Sequence, residues 1–120
     1  MSARPRRRRA RLRKPKNALG MNGLEMKYAA HLDMLKLVGE IEEWRFEWIK
    51  LRLARNAWYT PDFWVLFPDG HVEIHETKGR WMEAARVRIR VAAEMHPWFT
   101  FFGIQDGKKQ GWIVEEFSSE

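Results

Sequence analysis

Between residues 22 and 38 the apolar positions Leu24, Tyr28, Leu32 and Leu35 recur at helical spacing, with His31 beside the stripe. Asn22-Gly23-Leu24-Glu25 supplies an opening for that helix, and Gly39 a stop. From Glu43 to Glu47 the period changes, and Trp44, Phe46 and Trp48 alternate with charge as a half-buried strand does. The alternation resumes out of phase at Ile49, Leu51 and Leu53, which predicts a bulge or bend near Trp48–Ile49. Tyr59 to Phe67 reads as a third extended run. Pro68-Asp69-Gly70 is a turn, and His71 to Lys78 is the antiparallel return strand, closed by Gly79.

Trp81 to Met95 has the pattern of a second helix, with Ala84, Ala85, Val87, Val91, Ala92 and Met95 inward and Pro97 as its stop. Trp98 to Ile104 is an apolar strand, Asp106-Gly107 turns the chain, and Trp112-Ile113-Val114 adds a short last strand. The order of helix, strands, hairpin, helix and strand predicts an α/β domain, a mixed sheet flanked by helices.

Composition narrows this picture. A chain of 120 residues suits one small core, and seven Trp and seven Phe supply large units of burial. The absence of cysteine excludes disulfides and thiolate metal sites. No run approaches ~18 apolar residues, and the basic N-terminus is not followed by the apolar stretch of a secretory signal. The expectation is therefore no membrane association and a cytoplasmic location.

The net charge of +6 divides unevenly. Residues 1–16 hold Arg4, Arg6, Arg7, Arg8, Arg9, Arg11, Arg13, Lys14 and Lys16 and no acid, so the remaining 104 residues, with 13 basic and 16 acidic side chains, are net −3. Residues 1–21 are accordingly expected to form a disordered nucleic-acid-binding tail, and residues 22–120 the folded domain.

The chemistry concentrates at Tyr59-Thr60-Pro61-Asp62-Phe63 and Ile74-His75-Glu76-Thr77-Lys78-Gly79. With strand alternation Val72, Ile74, Glu76 and Lys78 share one face, so a carboxylate and an ammonium emerge on the buried side at the strand's end. The hairpin brings Asp62 alongside Glu76. Two neighbouring carboxylates repel and raise a pKa, and a divalent cation removes the conflict. Oxygen ligands without Cys suit Mg²⁺ or Mn²⁺, and such a cation can polarise a phosphodiester and acidify a water. Lys78 then orients the water, helps deprotonate it or offsets phosphorane charge; spacing leaves these open.

The other polar residues have plainer readings. Glu25 completes a capping box with Asn22 or joins the acidic site. His31 is expected in the core, whereas His71 and His75 share the face of Glu73 and Thr77 and are expected to be exposed. Trp81, following the Gly79-Arg80 turn, is assigned to packing, with contact to a nucleotide as the alternative. Arg80, Arg86, Arg88 and Arg90 form either a phosphate-facing rim or a solvated face. Trp44, Phe46 and Trp48 either complete the monomer's core or offer a dimer interface or exchanged strand.

Pro61-Asp62 followed by Glu76-Thr77-Lys78 resembles the PD-(D/E)XK nuclease superfamily. The ordered set Asn22-Gly23-Leu24-Glu25, Tyr59-Thr60-Pro61-Asp62-Phe63, Glu76-Thr77-Lys78-Gly79 with Trp81, and His96-Pro97 is similar to the phage endonuclease I family of four-way (Holliday) junction resolvases. The likeness spans roughly residues 22–104. It implies a restriction-endonuclease-like fold and Mg²⁺-dependent DNA cleavage leaving a 5′-phosphate. By the same resemblance Asp62, Glu76, the main-chain carbonyl of Thr77 and Glu25 would hold metal, and Lys78 would be the catalytic lysine. Branched DNA is the implied substrate and a homodimer the implied assembly. The competing expectations are a restriction-like or recombination nuclease of the same superfamily, a non-catalytic nucleic-acid-binding protein, and a basic packaging protein.

Overall fold

The computed structural model describes residues 16–118. Helix α1 (Gly23–Leu37) is followed by strands β1 (Glu43–Phe46), β2 (Leu51–Ala54), β3 (Ala57–Tyr59), β4 (Phe63–Leu66) and β5 (Val72–Thr77). Helix α2 (Glu83–Met95), β6 (Thr100–Asp106), a 3-10 turn (Lys108–Gln110) and β7 (Trp112–Phe117) complete the chain. Five strands form a mixed sheet in the order β1-β4-β5-β6-β7, and β2 with β3 makes a separate two-stranded sheet. The β5–β6 pair is parallel, and its neighbours are antiparallel. A parallel pair needs a long return connection, and α2 provides it. The architecture is therefore α/β with two helices, as the order of elements predicted.

Apolar residues gather in two clusters, one for each side of the large sheet. Tyr28, Ala29 and Leu32 of α1 meet Phe63, Val65 and Ile104, with Trp44, Phe46 and Trp112 packed around them. Ile89, Ala92 and Ala93 of α2 meet Ile74, Phe101 and Phe117, together with Leu51 and Tyr59 of the small sheet. Trp44 and Phe46 thus complete the monomer's core, while Trp48 is largely exposed. Among the described residues no helix is long and apolar enough to cross a membrane.

Several sequence expectations need correction. The run from Tyr59 to Phe67 is two strands in two sheets, because Pro61 lacks the N–H that would carry a ladder through it. The β2–β3 hairpin went unread; its turn rests on Asn56, one of the few residue types that readily take a positive φ, here 61°. The expected bend before β2 is present, with Glu47 at φ 47°. Helix α2 turns Ile89, Ala92 and Ala93 inward, whereas Ala84, Val87 and Met95 are exposed, so the buried face is rotated from the expected one. Trp98 precedes β6 and is exposed, and β7 runs three residues past Val114. Met21, assigned to the tail, is a fully buried core residue, and Asn17 Oδ1 accepts its N–H at 2.9 Å. The folded part therefore begins before residue 22.

Candidate active site

Strand β3 ends at Tyr59, and the chain passes through buried Pro61 into the large sheet, where β4 starts at Phe63. Asp62 stands at that junction, its carbonyl accepting the Glu47 N–H at 2.8 Å. Phe63 pairs with His75, so one further step of register sets Asp62 opposite Glu76. The hairpin does bring the two acids together. They are 8% and 5% exposed, on the side of the sheet where Ile74 and Phe101 pack against α2.

Both carboxylates are held by neighbours. Thr77 donates twice to Asp62 Oδ2, from its N–H at 2.9 Å and its hydroxyl at 2.8 Å. The Tyr59 hydroxyl donates to Glu76 Oε2. Lys78 lies just past the end of β5, with its N–H bonded to the Ile104 carbonyl at 3.0 Å and its Nζ 3.7 Å from Glu76 Oε1. Its side chain is 37% exposed, so the ammonium sits at the mouth of the site.

Burial pushes the Asp62 carboxyl up, and the Glu76 charge adds to it against the two Thr77 hydrogen bonds, reaching about 7. Burial also raises Glu76, opposed by the Tyr59 hydrogen bond and the Lys78 charge. Tyr59 is raised well above the ordinary phenol range by burial and the adjacent Glu76 carboxylate, so it remains a proton-bearing donor. Arg88, on α2, is near enough for its charge to oppose that rise.

Glu25 fulfils the capping expectation. Its N–H donates to Asn22 Oδ1 and the Asn22 N–H donates to Glu25 Oε1, both at 2.9 Å. Its carboxyl also neighbours Asp62. Burial raises the Glu25 pKa, the Asn22 amide opposes this, and Asp62 raises it further. The two readings of Glu25 are thus compatible, because α1 begins at the acidic end of the hairpin. Lys16 is exposed, with its charge felt at Glu25, and Arg80 is exposed on the bend after Gly79. Arg4, Arg6, Arg7, Arg8, Arg9, Arg11, Arg13 and Lys14 lie outside the described residues.

The opposite face of β5 departs from expectation. His75 is buried, since α1 covers the side that had been read as solvent-facing. Its Nδ1 is 2.6 Å from the Tyr28 hydroxyl and its Nε2 is 2.9 Å from Glu73. Glu73 is half-buried and also meets His71 Nε2 at 3.0 Å, so it is an internal partner of two imidazoles and not a free surface charge. His71 itself is exposed, as expected. His31 is half-buried against Tyr28 and Trp112.

Tyr59 lines the site beside Glu76 and has no role of its own in the sequence analysis; the available signal is a phenol three residues ahead of Asp62. Trp81 packs, as assigned, over Gly103, the residue that pairs with Glu76 across β5 and β6. A Cβ at Gly103 would lie 2.7 Å from the indole and 2.9 Å from Phe117, so glycine there makes room for that wall of the site. Among the described residues no three His, Asp or Glu side chains form a ready-made metal cage. The centre is a pair of acids, with Glu25 beside Asp62.

Comparison with family models, characterised proteins and solved structures found no match. The functional reading therefore rests on this geometry: two buried acids short of positive charge, oriented by a threonine and a tyrosine, with a lysine at the opening.

Proposed function

We propose that the chain is a divalent-cation-dependent DNA endonuclease of the PD-(D/E)XK type, with a restriction-endonuclease-like arrangement of its mixed sheet. The observation that carries this reading is the burial of Asp62 against Glu76, with Asp62 raised to about 7 and Lys78 3.7 Å from Glu76. Two acids removed from water at this proximity are costly unless positive charge is brought to them. The donor set fits a hard cation: Asp62, Glu76 and the Thr77 main-chain carbonyl would hold Mg²⁺ or Mn²⁺, with Glu25 as a further acid. When bound, such a cation would supply Lewis-acid polarisation of a phosphodiester and acidification of water.

The chain's own groups have separate tasks. Thr77 fixes the Asp62 carboxylate through two hydrogen bonds to one oxygen. Tyr59 fixes Glu76 and, staying protonated, takes no charge into the site. Lys78, partly solvated at the strand end, can reach the scissile phosphate and offset charge that builds on it. DNA, with branched DNA foremost, is the proposed substrate, a homodimer the proposed assembly and the cytoplasm the proposed location, all following the resemblance of the motifs.

The test incubates the full chain with Mg²⁺, Mn²⁺ or EDTA and linear duplex, single-stranded, flapped and four-way-junction DNA. Metal-dependent cutting that is lost in Asp62→Asn and Glu76→Gln is expected. Absence of cutting on every substrate with either metal overturns the proposal.

A further inference from the structure

The two-stranded sheet has one face in the core and one in solvent. Leu51 and Tyr59 pair across it and point inward. Arg52 and Trp58, the adjacent cross-strand pair, therefore point outward, and both are exposed. Trp58 keeps 53% of its surface in water, with Lys50 Nζ 5.4 Å from its ring centroid. The His96 ring nitrogen lies 2.7 Å from the Arg52 carbonyl, which ties the hairpin to the end of α2.

Charge marks this face. Residues 48–61 contain Lys50, Arg52 and Arg55 and no acid, within a folded part whose net charge is negative. Among the described residues none of these three is in an ion pair, whereas Arg86 and Arg90 on α2 are paired with Glu115 and Glu83. An exposed indole amid uncompensated cations is suited to a ligand with a flat π-face and a phosphate beside it. Stacking on an aromatic ring together with cationic tracking of the backbone is how single strands are bound without regard to sequence.

Position adds a second argument. Trp58 is four residues before Asp62, so ~13 Å of extended chain at most separates their backbones. Tyr59, the next residue, faces the opposite way and donates to Glu76. One short strand thus presents an indole outward and a phenol to the acids.

We infer that the outer face of the β2–β3 hairpin is a stacking platform for unpaired nucleotides of DNA, with Trp58 as the stacking ring and Lys50 and Arg52 as phosphate partners. The inference deepens the nuclease reading and rests on it for the choice of DNA: the substrate is one that offers unpaired bases within reach of Asp62 and Glu76. A base entering the site displaces the Lys50 ammonium from the ring toward the adjoining phosphate.

Binding by the full chain is measured in EDTA, so cleavage plays no part. The probes are a fluorescein-labelled 12-nucleotide oligothymidylate, the same backbone with abasic sites, and a blunt duplex. The cationic tail contributes to all three through phosphate, so the thymidylate-to-abasic ratio isolates stacking. Wild type should prefer thymidylate by about tenfold, within the range for a stacked base. Trp58→Ala should remove most of that preference with abasic affinity unchanged, and Trp58→Phe should retain part of it. Lys50→Ala with Arg52→Ala should weaken both oligonucleotides alike and flatten the salt dependence by up to about 1.4 units. A wild-type ratio near one, or a ratio that survives Trp58→Ala in a folded protein, overturns the platform even if the chain cuts DNA. The expected ratios without metal-dependent cutting would instead sustain the platform and overturn the nuclease reading. Duplex binding that weakens in Trp58→Ala as much as thymidylate binding does, or a sedimentation coefficient that falls in that variant, would overturn the platform and assign the face to helical DNA or to a second copy.

Discussion

Strand β5 carries acids on both faces, and the two faces treat them oppositely. On the α1 side burial pushes the Glu73 carboxyl up, but hydrogen bonds from His75 and His71 outweigh it and leave the carboxyl below its usual range. The contact with Glu73, together with that to Asp69, raises His71, and His75 passes the connection inward to Tyr28. On the α2 side Asp62 and Glu76 face each other with one phenol, one threonine and a partly solvated lysine, and both are raised. An acid with imidazoles built against it is electrically complete. A buried pair raised by burial, with Asp62 raised further by the Glu76 charge, has only one partly solvated lysine as countercharge, and such groups concentrate at functional sites. The difference lies in what each face packs against, since both come from the single run Glu73-Ile74-His75-Glu76.

The comparison breaks most visibly in rate. Glu76→Gln and Asp62→Asn should each slow metal-dependent cleavage by about a thousandfold or more, the scale on which a single charge-stabilising group acts. Glu73→Gln should leave the rate close to wild type. Initial rates on labelled DNA decide this, and equal losses at positions 73 and 76 would remove the distinction between the faces.

A smaller effect belongs to Glu25. Glu25→Gln preserves an acceptor for the Asn22 amide but removes the charge beside Asp62. The melting temperature should stay near wild type while cleavage falls roughly 10- to 100-fold, as for a group that supports ligands from outside. Unchanged turnover would leave Glu25 as a helix cap alone.

Stability against pH sharpens the contrast in EDTA-treated protein. The folded Asp62 keeps its proton to about 7, against an ordinary 3.8, so the folded state binds more protons across that interval. Its contribution is fully present below the ordinary value and is lost as pH rises through about 7. Asp62→Asn can still accept from Thr77 and carries no charge toward Glu76. Its stability relative to wild type should therefore grow from pH 5 to pH 8, by at most ~3 kcal/mol. Denaturant titrations at both values check the sign, and a gain that shrinks with pH contradicts it.

The smallest effect is on the completed face. Tyr28→Phe leaves His75 Nδ1 without its buried partner and should cost about 1 kcal/mol, or ~4–8 °C in melting temperature, with no change in cleavage rate.

Much of this was legible because the signals were local. Asn22 and Glu25 announce a capped helix, and Pro68-Asp69-Gly70 announces the hairpin that juxtaposes Asp62 and Glu76. What escaped depended on partners distant in sequence. A strand with alternating polar residues reads as one-sided, so His75 and Thr77 looked solvent-facing until α1 was laid over them. Tyr59 to Phe67 is apolar enough to look continuous, although Pro61 interrupts its ladder and the two halves join different sheets. In α2 the arginines at 86, 88 and 90 crowd the pattern, and the inward stripe is drawn by small alanines that hydropathy hardly distinguishes.

The Trp81 indole occupying the place of a side chain at Gly103 bears on how this wall could be inherited or redesigned. Positions 81 and 103 share one volume, so their substitutions are not independent and their order matters. Alanine at 103 in the presence of Trp81 meets an immediate collision, with Phe117 equally close to the added carbon. A smaller residue at 81 first opens a cavity, at a cost of about 3 kcal/mol, which alanine at 103 can then partly fill. The permissive route begins at 81, and lineages that abandon the tryptophan should be those in which 103 is free to vary.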